Sequence, residues 1–184
     1  IEAVTGRGAL DTVRERERLA ARLEAALGVP VERAAEELAA RDGRLREAER
    51  ELARLRRQLV TGGGGEAEAR EVAGVRVLAR EVPPAPAGEL RDMADALRQR
   101  LGSGVVLLGS RGEGKVSLVA AVSDDLTGRV HAGELVREVA GVVGGGGGGR
   151  PDFAQAGGRL PEKLDEALAR AYEAVAGQLQ AGVG

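Results

Sequence analysis

Residues 105–122 read VVLLGSRGEGKVSLVAAV. Two runs of apolar, largely β-branched residues, Val105–Leu108 and Val116–Val122, flank a short glycine-containing turn, the pattern of a buried β-hairpin. The turn itself, Gly109-Ser110-Arg111-Gly112-Glu113-Gly114-Lys115, satisfies the first seven positions of a nucleotide-binding phosphate loop. The eighth does not fit. Val116 stands where a Ser or Thr would hold magnesium, and a strand-like run follows where that motif requires a helix N-terminus facing phosphate. The stretch is therefore a hairpin and not a nucleotide site. Working outward, Val72, Val75, Val77 and Ala79 suggest a strand, and Pro83-Pro84-Ala85-Pro86 a loop. Leu90, Met93, Leu97 and Leu101 share one face of a helix, and residues 132–143 form another. Six glycines then read as a loop, and Pro161 opens a last helix marked by Leu164, Leu168, Ala171, Val175 and Leu179. This order predicts an α+β (mixed α/β) fold, a small domain whose mixed or antiparallel sheet is packed by helices.

The preceding sixty residues have a different texture. They carry 13 basic and 12 acidic side chains interleaved with Leu and Ala, which is helical patterning. Leu10, Val13, Ala20, Leu23 and Leu27 follow 3–4 spacing until Gly28-Val29-Pro30 stops the first helix and starts the second. In the second helix Leu38, Leu45, Leu52 and Leu59 recur every seven residues, with Ala48 and Leu55 between them, forming a narrow apolar seam. A seam of this kind needs a partner, either the first helix folded back as an antiparallel hairpin or the same helix of a second chain. Leu38, Leu45, Leu52, Leu55 and Leu59 are the candidate dimerisation residues. Gly43 weakens the seam by about 1 kcal/mol relative to Ala. Arg54, Arg56 and Arg57, near the helix end, read as a solvated face whose charge suits a helix C-terminus. The expected organisation is a helical arm over 1–61, a glycine-rich joint over 62–71 and a globular domain over 72–184.

Composition excludes several functions. Lys+Arg 27 against Asp+Glu 29 leaves a net charge of -2, so any contact with nucleic acid is a local patch. Phe153 and Tyr172 are the only aromatic residues, too few for a row of stacked bases. With no Cys and one His, the chain lacks the side chains for a thiolate zinc site, a disulfide or a Cys nucleophile, so no metal, cofactor or catalytic residue is assigned. There is no apolar run of membrane-spanning length, and the expected setting is cytoplasmic. His131, beside Arg129, reads as a surface or capping residue, and Asp124 and Asp125 as caps of a short helix.

The remaining feature is Gly144, Gly145, Gly146, Gly147, Gly148 and Gly149, followed by Arg150-Pro151-Asp152-Phe153. Without Cβ atoms, successive N–H groups can turn toward one anion, and Arg150 can add a bidentate contact to phosphate. The competing reading is a linker or a tight packing loop, against which Phe153 stands as a buried tether.

The segment GKVSLVAAVSDDLTGRVHAGELVREVAGVVGGGGGGRPDFAQAGG resembles the C-terminal domain of bacterial alanyl-tRNA synthetases, in the DHH-associated domain group, through its GKVSL strand, HAGELV helix start and glycine run into GRPDFAQAGG. The resemblance covers 105–179 closely and the rest more loosely, with Ile1-Glu2-Ala3-Val4-Thr5-Gly6 similar to the last residues of an editing domain. It implies a non-catalytic piece that contacts the outer corner of tRNA, where the D and T loops meet, and promotes homodimerisation, with the ATP-dependent ligase and editing domains lying elsewhere. Under it, Arg111, Lys115, Arg129 and Arg150 join the glycine amides as the residues expected to touch tRNA. Related phosphoesterases end the glycine motif in a histidine, whereas Arg150 and Pro151 follow here, so hydrolysis is disfavoured. An oligomerisation arm with a globular spacer and no RNA contact is the alternative.

Overall fold

The computed structural model describes residues 6–62, 69–112 and 114–181. It divides into two compact units, split between Leu52 and Ala53 within one long helix.

In the first unit, α1 spans Arg7–Leu27 and ends at Gly28, whose positive φ of 73° lets its N–H close on the Glu24 carbonyl at 2.7 Å. One 3₁₀ turn, Val31–Arg33, leads into α2, Ala34–Gly62. The corner is pinned from both sides. The Val31 N–H donates to the Glu24 carboxylate at 3.1 Å, and the Arg41 guanidinium donates to the last carbonyl of α1, that of Leu27, at 2.7 Å. Glu37 holds Arg41 in place at 2.8 Å. That guanidinium keeps the Glu37 carboxyl below its ordinary range. No residue of α1 is buried. Leu10, Val13 and Leu19 are about half exposed, as are Leu38, Leu45 and Leu52 of α2, so the two helices of one chain do not cover each other's apolar side chains. Of the two partners open to the seam, the fold-back hairpin is the one this structure does not form.

The second unit is a three-layer α/β/α domain. Its six-stranded sheet runs β1 (Arg70–Val72), β2 (Val75–Glu81), β3 (Val105–Gly112), β4 (Lys115–Val122), β5 (Gly146–Gly149) and β6 (Phe153–Gly158), in the spatial order β1-β2-β3-β4-β6-β5. Only β2 and β3 pair in parallel, joined across α3 (Ala87–Leu101); the sheet is mixed. The first strand expected from Val72, Val75, Val77 and Ala79 is in fact two strands. Ala73 and Gly74, at φ 48° and 82°, make a tight turn between them, the two successive positive φ values that a type I′ hairpin demands.

The expected hairpin at 105–122 is the centre of the sheet, with Leu108 opposite Val119 and Val105 opposite Val122. It reads as a continuous apolar run because both faces are covered. Val105, Leu107, Leu118, Ala120 and Val122 pack under α4 (Ala132–Val142) and α5 (Leu164–Ala181). Val106, Leu108, Val119 and Ala121 pack under Leu90, Met93, Leu97 and Leu101 of α3. Polar ties fasten the ends. The Gly104 N–H donates to the buried Ser123 hydroxyl at 3.0 Å, and Ser123 N–H returns to the Gly104 carbonyl at 3.0 Å. Near the end of α2, Arg56 pairs with Glu89 at 3.4 Å and is partly buried against α3, whereas Arg57, paired with Asp92 at 3.2 Å, is 53% exposed and keeps the solvated face expected of it. Helix α2 reaches Gly62, residues 63–68 of the expected 62–71 joint lie outside the described residues, and its last two residues, Arg70 and Glu71, belong to the first strand.

Candidate nucleic-acid interface

The glycine run and the residues after it form a hairpin at the edge of the sheet, where a loop was expected. Gly146 pairs with Gly157, Gly148 with Gln155 and Gly149 with Ala154. β6 in turn pairs with β4, with Ala154 opposite Ala120. The neighbours supply what glycine lacks, because the propensity of a residue for strand is mostly its contacts there. Arg150 N–H donates to the Phe153 carbonyl at 2.9 Å across the Pro151-Asp152 turn. The turn is anchored by Ala132 N–H on the Pro151 carbonyl and Val122 N–H on the Asp152 carbonyl, both 2.9 Å. At the other end Arg159 N–H donates to the Val143 carbonyl at 2.8 Å.

This geometry corrects the anion nest. A nest needs backbone alternating between right- and left-handed helical conformations. Within the run only Gly144 has a positive φ, 63°, and Gly146–Gly149 are an extended strand. Amides of a strand point alternately to either side and do not converge on one anion. The N-terminus of α4 offers none either: Ala132 N–H is taken by Pro151, Gly133 N–H by His131 Nδ1 at 3.1 Å, and Glu134 and Leu135 N–H by the His131 carbonyl. His131 is thus the N-cap of α4, in agreement with the capping role expected of it.

The cations separate into distinct places. Arg111 is clamped between Glu81 at 2.9 Å and Asp165 at 2.7 Å, which raise its pKa and tie β3 to β2 and α5. It fastens the fold, and these carboxylates already occupy the guanidinium that was expected to touch tRNA. Arg150 lies at the hairpin tip, held bidentately by Asp152 at 3.0 and 2.9 Å. Desolvation works to raise the Asp152 pKa, but the guanidinium and a backbone N–H outweigh it and hold it low. Arg129 lies by His131, Glu134 and Gln178, in a cleft of about 260 Å³. Lys115 lines a larger open cleft of about 590 Å³ with Ser117, Gly144, Gly145, Gly146 and Arg159. Gly148, Gly149 and Arg150 line another of about 280 Å³ with Arg91, whose guanidinium sits 4.7 Å over the Phe153 ring. Lys115, Arg129, Arg137 and Arg159 make no side-chain ion pair among the described residues.

Arg91, Arg137 and Arg159 were not singled out by the sequence. Arg159 lies next to the quoted GRPDFAQAGG motif, and reading that motif as a strand returning beside β4 would have carried Arg159 to the level of Lys115. Among the described residues no group of three His, Asp or Glu side chains is placed to hold a metal ion, and no helix is long and apolar enough to cross a membrane.

A mixed sheet with this edge hairpin defines the class: residues 74–177 match the DHHA1 domain. The chain is 49% identical over 171 residues to the alanine–tRNA ligase of Chromohalobacter salexigens, covering 92% of this chain and 20% of that protein. It is 45% identical over 183 residues to that of Pelotomaculum thermopropionicum, covering 98% and 21%. The crystal structure of the C-Ala domain from Aquifex aeolicus alanyl-tRNA synthetase superposes with a TM-score of 0.56 at 38% identity, over 59% of this chain and 97% of that one. The chain belongs to the DHHA1 family, and within it to the C-terminal domains of alanyl-tRNA synthetases. It spans about a fifth of the length of the ligases it matches.

Proposed function

We propose that the chain is the RNA-binding and dimerising end of a cytoplasmic alanine–tRNA ligase. It grips tRNA-Ala at its outer corner while other domains of the whole enzyme attach alanine with ATP and edit errors. The observation that carries the RNA contact is the pairing of Lys115 and Arg159, two cations without an ion-pair partner among the described residues, beside a sheet edge stripped of side chains. Unpaired cations are what a phosphate can engage without first breaking another pair. In a chain with slightly more acids than bases, local surplus decides where a polyanion sits. Arg129 and Arg150 add further contacts. The arm supplies dimerisation through Leu38, Leu45, Leu52, Leu55 and Leu59, all between 44% and 69% exposed in the single chain.

Titration of the chain into a tRNA-Ala transcript at several salt concentrations tests this. With about two to four phosphates engaged, log affinity falls against log salt with a slope of roughly -1.5 to -3.5. The double variant Lys115→Glu, Arg159→Glu loses binding while its oligomeric state is unchanged. Absence of binding at the lowest salt refutes the RNA contact and leaves the second reading, an oligomerising arm with a globular spacer, which the same exposed leucines support.

A further inference from the structure

The six glycines are not equivalent in what surrounds them. A Cβ on Gly145 would strike the Gly157 carbonyl, one on Gly147 the Gln155 carbonyl and Ala156, and one on Gly149 the Phe153 carbonyl at 2.5 Å, all backbone of β6 that has nowhere to move. A Cβ on Gly146 would meet nothing within 4 Å, and one on Gly148 only the Arg137 guanidinium at an ordinary 3.6 Å. Gly157, paired with Gly146 in the ladder, would place its Cβ 3.7 Å from the Val116 carbonyl. None of these three has the positive φ that excludes side chains. Strands favour β-branched residues, and glycine in a strand loses more chain entropy on folding than any other residue. The fold thus accounts for one alternate set of glycines and gives no reason for the other.

The unaccounted set lies among the cations that have no ion-pair partner among the described residues. Gly146 and Gly157 line the cleft that holds Lys115 and Arg159, and Gly148 faces Arg137. We infer that the run has two functions separated by alternation: Gly145, Gly147 and Gly149 admit the backbone of β6, whereas Gly146, Gly148 and Gly157 are bare so that the sugar–phosphate strand of the RNA comes into contact with the main chain between Lys115 and Arg159 at one end and Arg137 at the other. This rests on the RNA-binding reading and adds to it the surface and the contacting part of the nucleic acid. Close approach to backbone is what glycine permits, and contact to sugar and phosphate is shape-led, in keeping with recognition of folded RNA.

The test is a parity scan on the 184-residue chain, measuring thermal midpoint and affinity for a tRNA-Ala transcript. Gly146→Val and Gly148→Ala should keep or raise the midpoint and weaken binding by about tenfold each, with the salt slope unchanged because no charge is lost. Gly147→Ala and Gly149→Ala should lower the midpoint. Arg159→Gln and Arg137→Gln should each make the salt slope shallower by a little under one. If the wild-type chain binds and Gly146→Val and Gly148→Ala bind as tightly, the surface is wrong while the RNA reading stands. If Gly146→Val is destabilised as much as Gly147→Ala, the division by alternation is wrong. A wild-type chain that does not bind removes the RNA reading and this inference with it.

Discussion

Replacing Leu45 and Leu52 by Ala is expected to dissociate the proposed dimer without harming the helix. In the single chain these side chains are 58% and 47% exposed, together about one whole leucine side chain in water. Fully burying one leucine is worth about 1.5–3 kcal/mol, so two copies gain about 3–6 kcal/mol at these four positions, and the retained Ala methyls keep part of it. A loss of about 3–4 kcal/mol weakens association on the order of 10²- to 10³-fold. Ala is the strongest helix former, so the helical signal in circular dichroism should hold or rise as the dimer is lost, separating lost association from lost folding. Light scattering across a dilution series reads the monomer–dimer midpoint of both proteins. A wild-type chain that stays monomeric at about 100 μM, or a double variant with an unshifted midpoint, refutes the assignment of the seam to a second copy.

Two further outcomes follow from side-chain caps and carboxylates. His131→Ala removes the acceptor of the Gly133 N–H and should cost about 1 kcal/mol in chemical denaturation, while His131→Asn, another capping side chain, should recover most of it. Asp125 accepts from Ser103 Oγ at 2.5 Å, and this bond, helped by Ser123, holds its folded pKa below the ordinary carboxylate value of 3.8. A lowered folded pKa contributes stability present above the unfolded value and lost as pH falls through the folded one. Unfolding midpoints measured from pH 6 to pH 2 should therefore fall less steeply below about pH 4 in Asp125→Asn than in the wild type, and equal slopes would show that the hydrogen bond contributes nothing.

The core was legible because its signals are local. Leu90, Met93, Leu97 and Leu101 fix α3 by spacing alone, and the central hairpin announces itself as two apolar runs about one turn apart. The edge hairpin was not legible for a definite reason. Glycine carries no periodicity, so a strand of Gly146–Gly149 has no alternation to read, and what makes it a strand is β6, whose own place depends on β4. The single strand expected at 72–79 fails similarly: Ala73 adopts φ 48°, a conformation its residue type disfavours, and only the pairing of Val72 with Val75 reveals the turn. The cations are the hardest case. Sequence places Arg111 beside Lys115, yet Glu81 and Asp165, distant in the chain, occupy the first and leave the second without an ion-pair partner among the described residues. Which charge is free is a tertiary property.

That property can be changed deliberately at Arg150. Its side chain is 68% exposed, so it is reachable by a phosphate, but its Nε and Nη2 already donate to the two Asp152 carboxylate oxygens. An RNA that engages Arg150 must either break this bidentate pair or share it, and an exposed pair of this kind is worth about 0.2–1 kcal/mol. Asp152→Asn lifts that cost and removes a negative charge from the proposed RNA face, while the Asp152 carbonyl that receives Val122 N–H is backbone and survives the change. Affinity for a tRNA-Ala transcript should therefore rise about 1.4- to 5-fold, and the salt slope should steepen by up to about one as a further phosphate is engaged. Arg150→Gln on the Asp152→Asn background should cancel both effects. A gain in affinity that persists after Arg150 is removed would mean that Asp152 acts only by general repulsion and that the hairpin tip never touches the RNA.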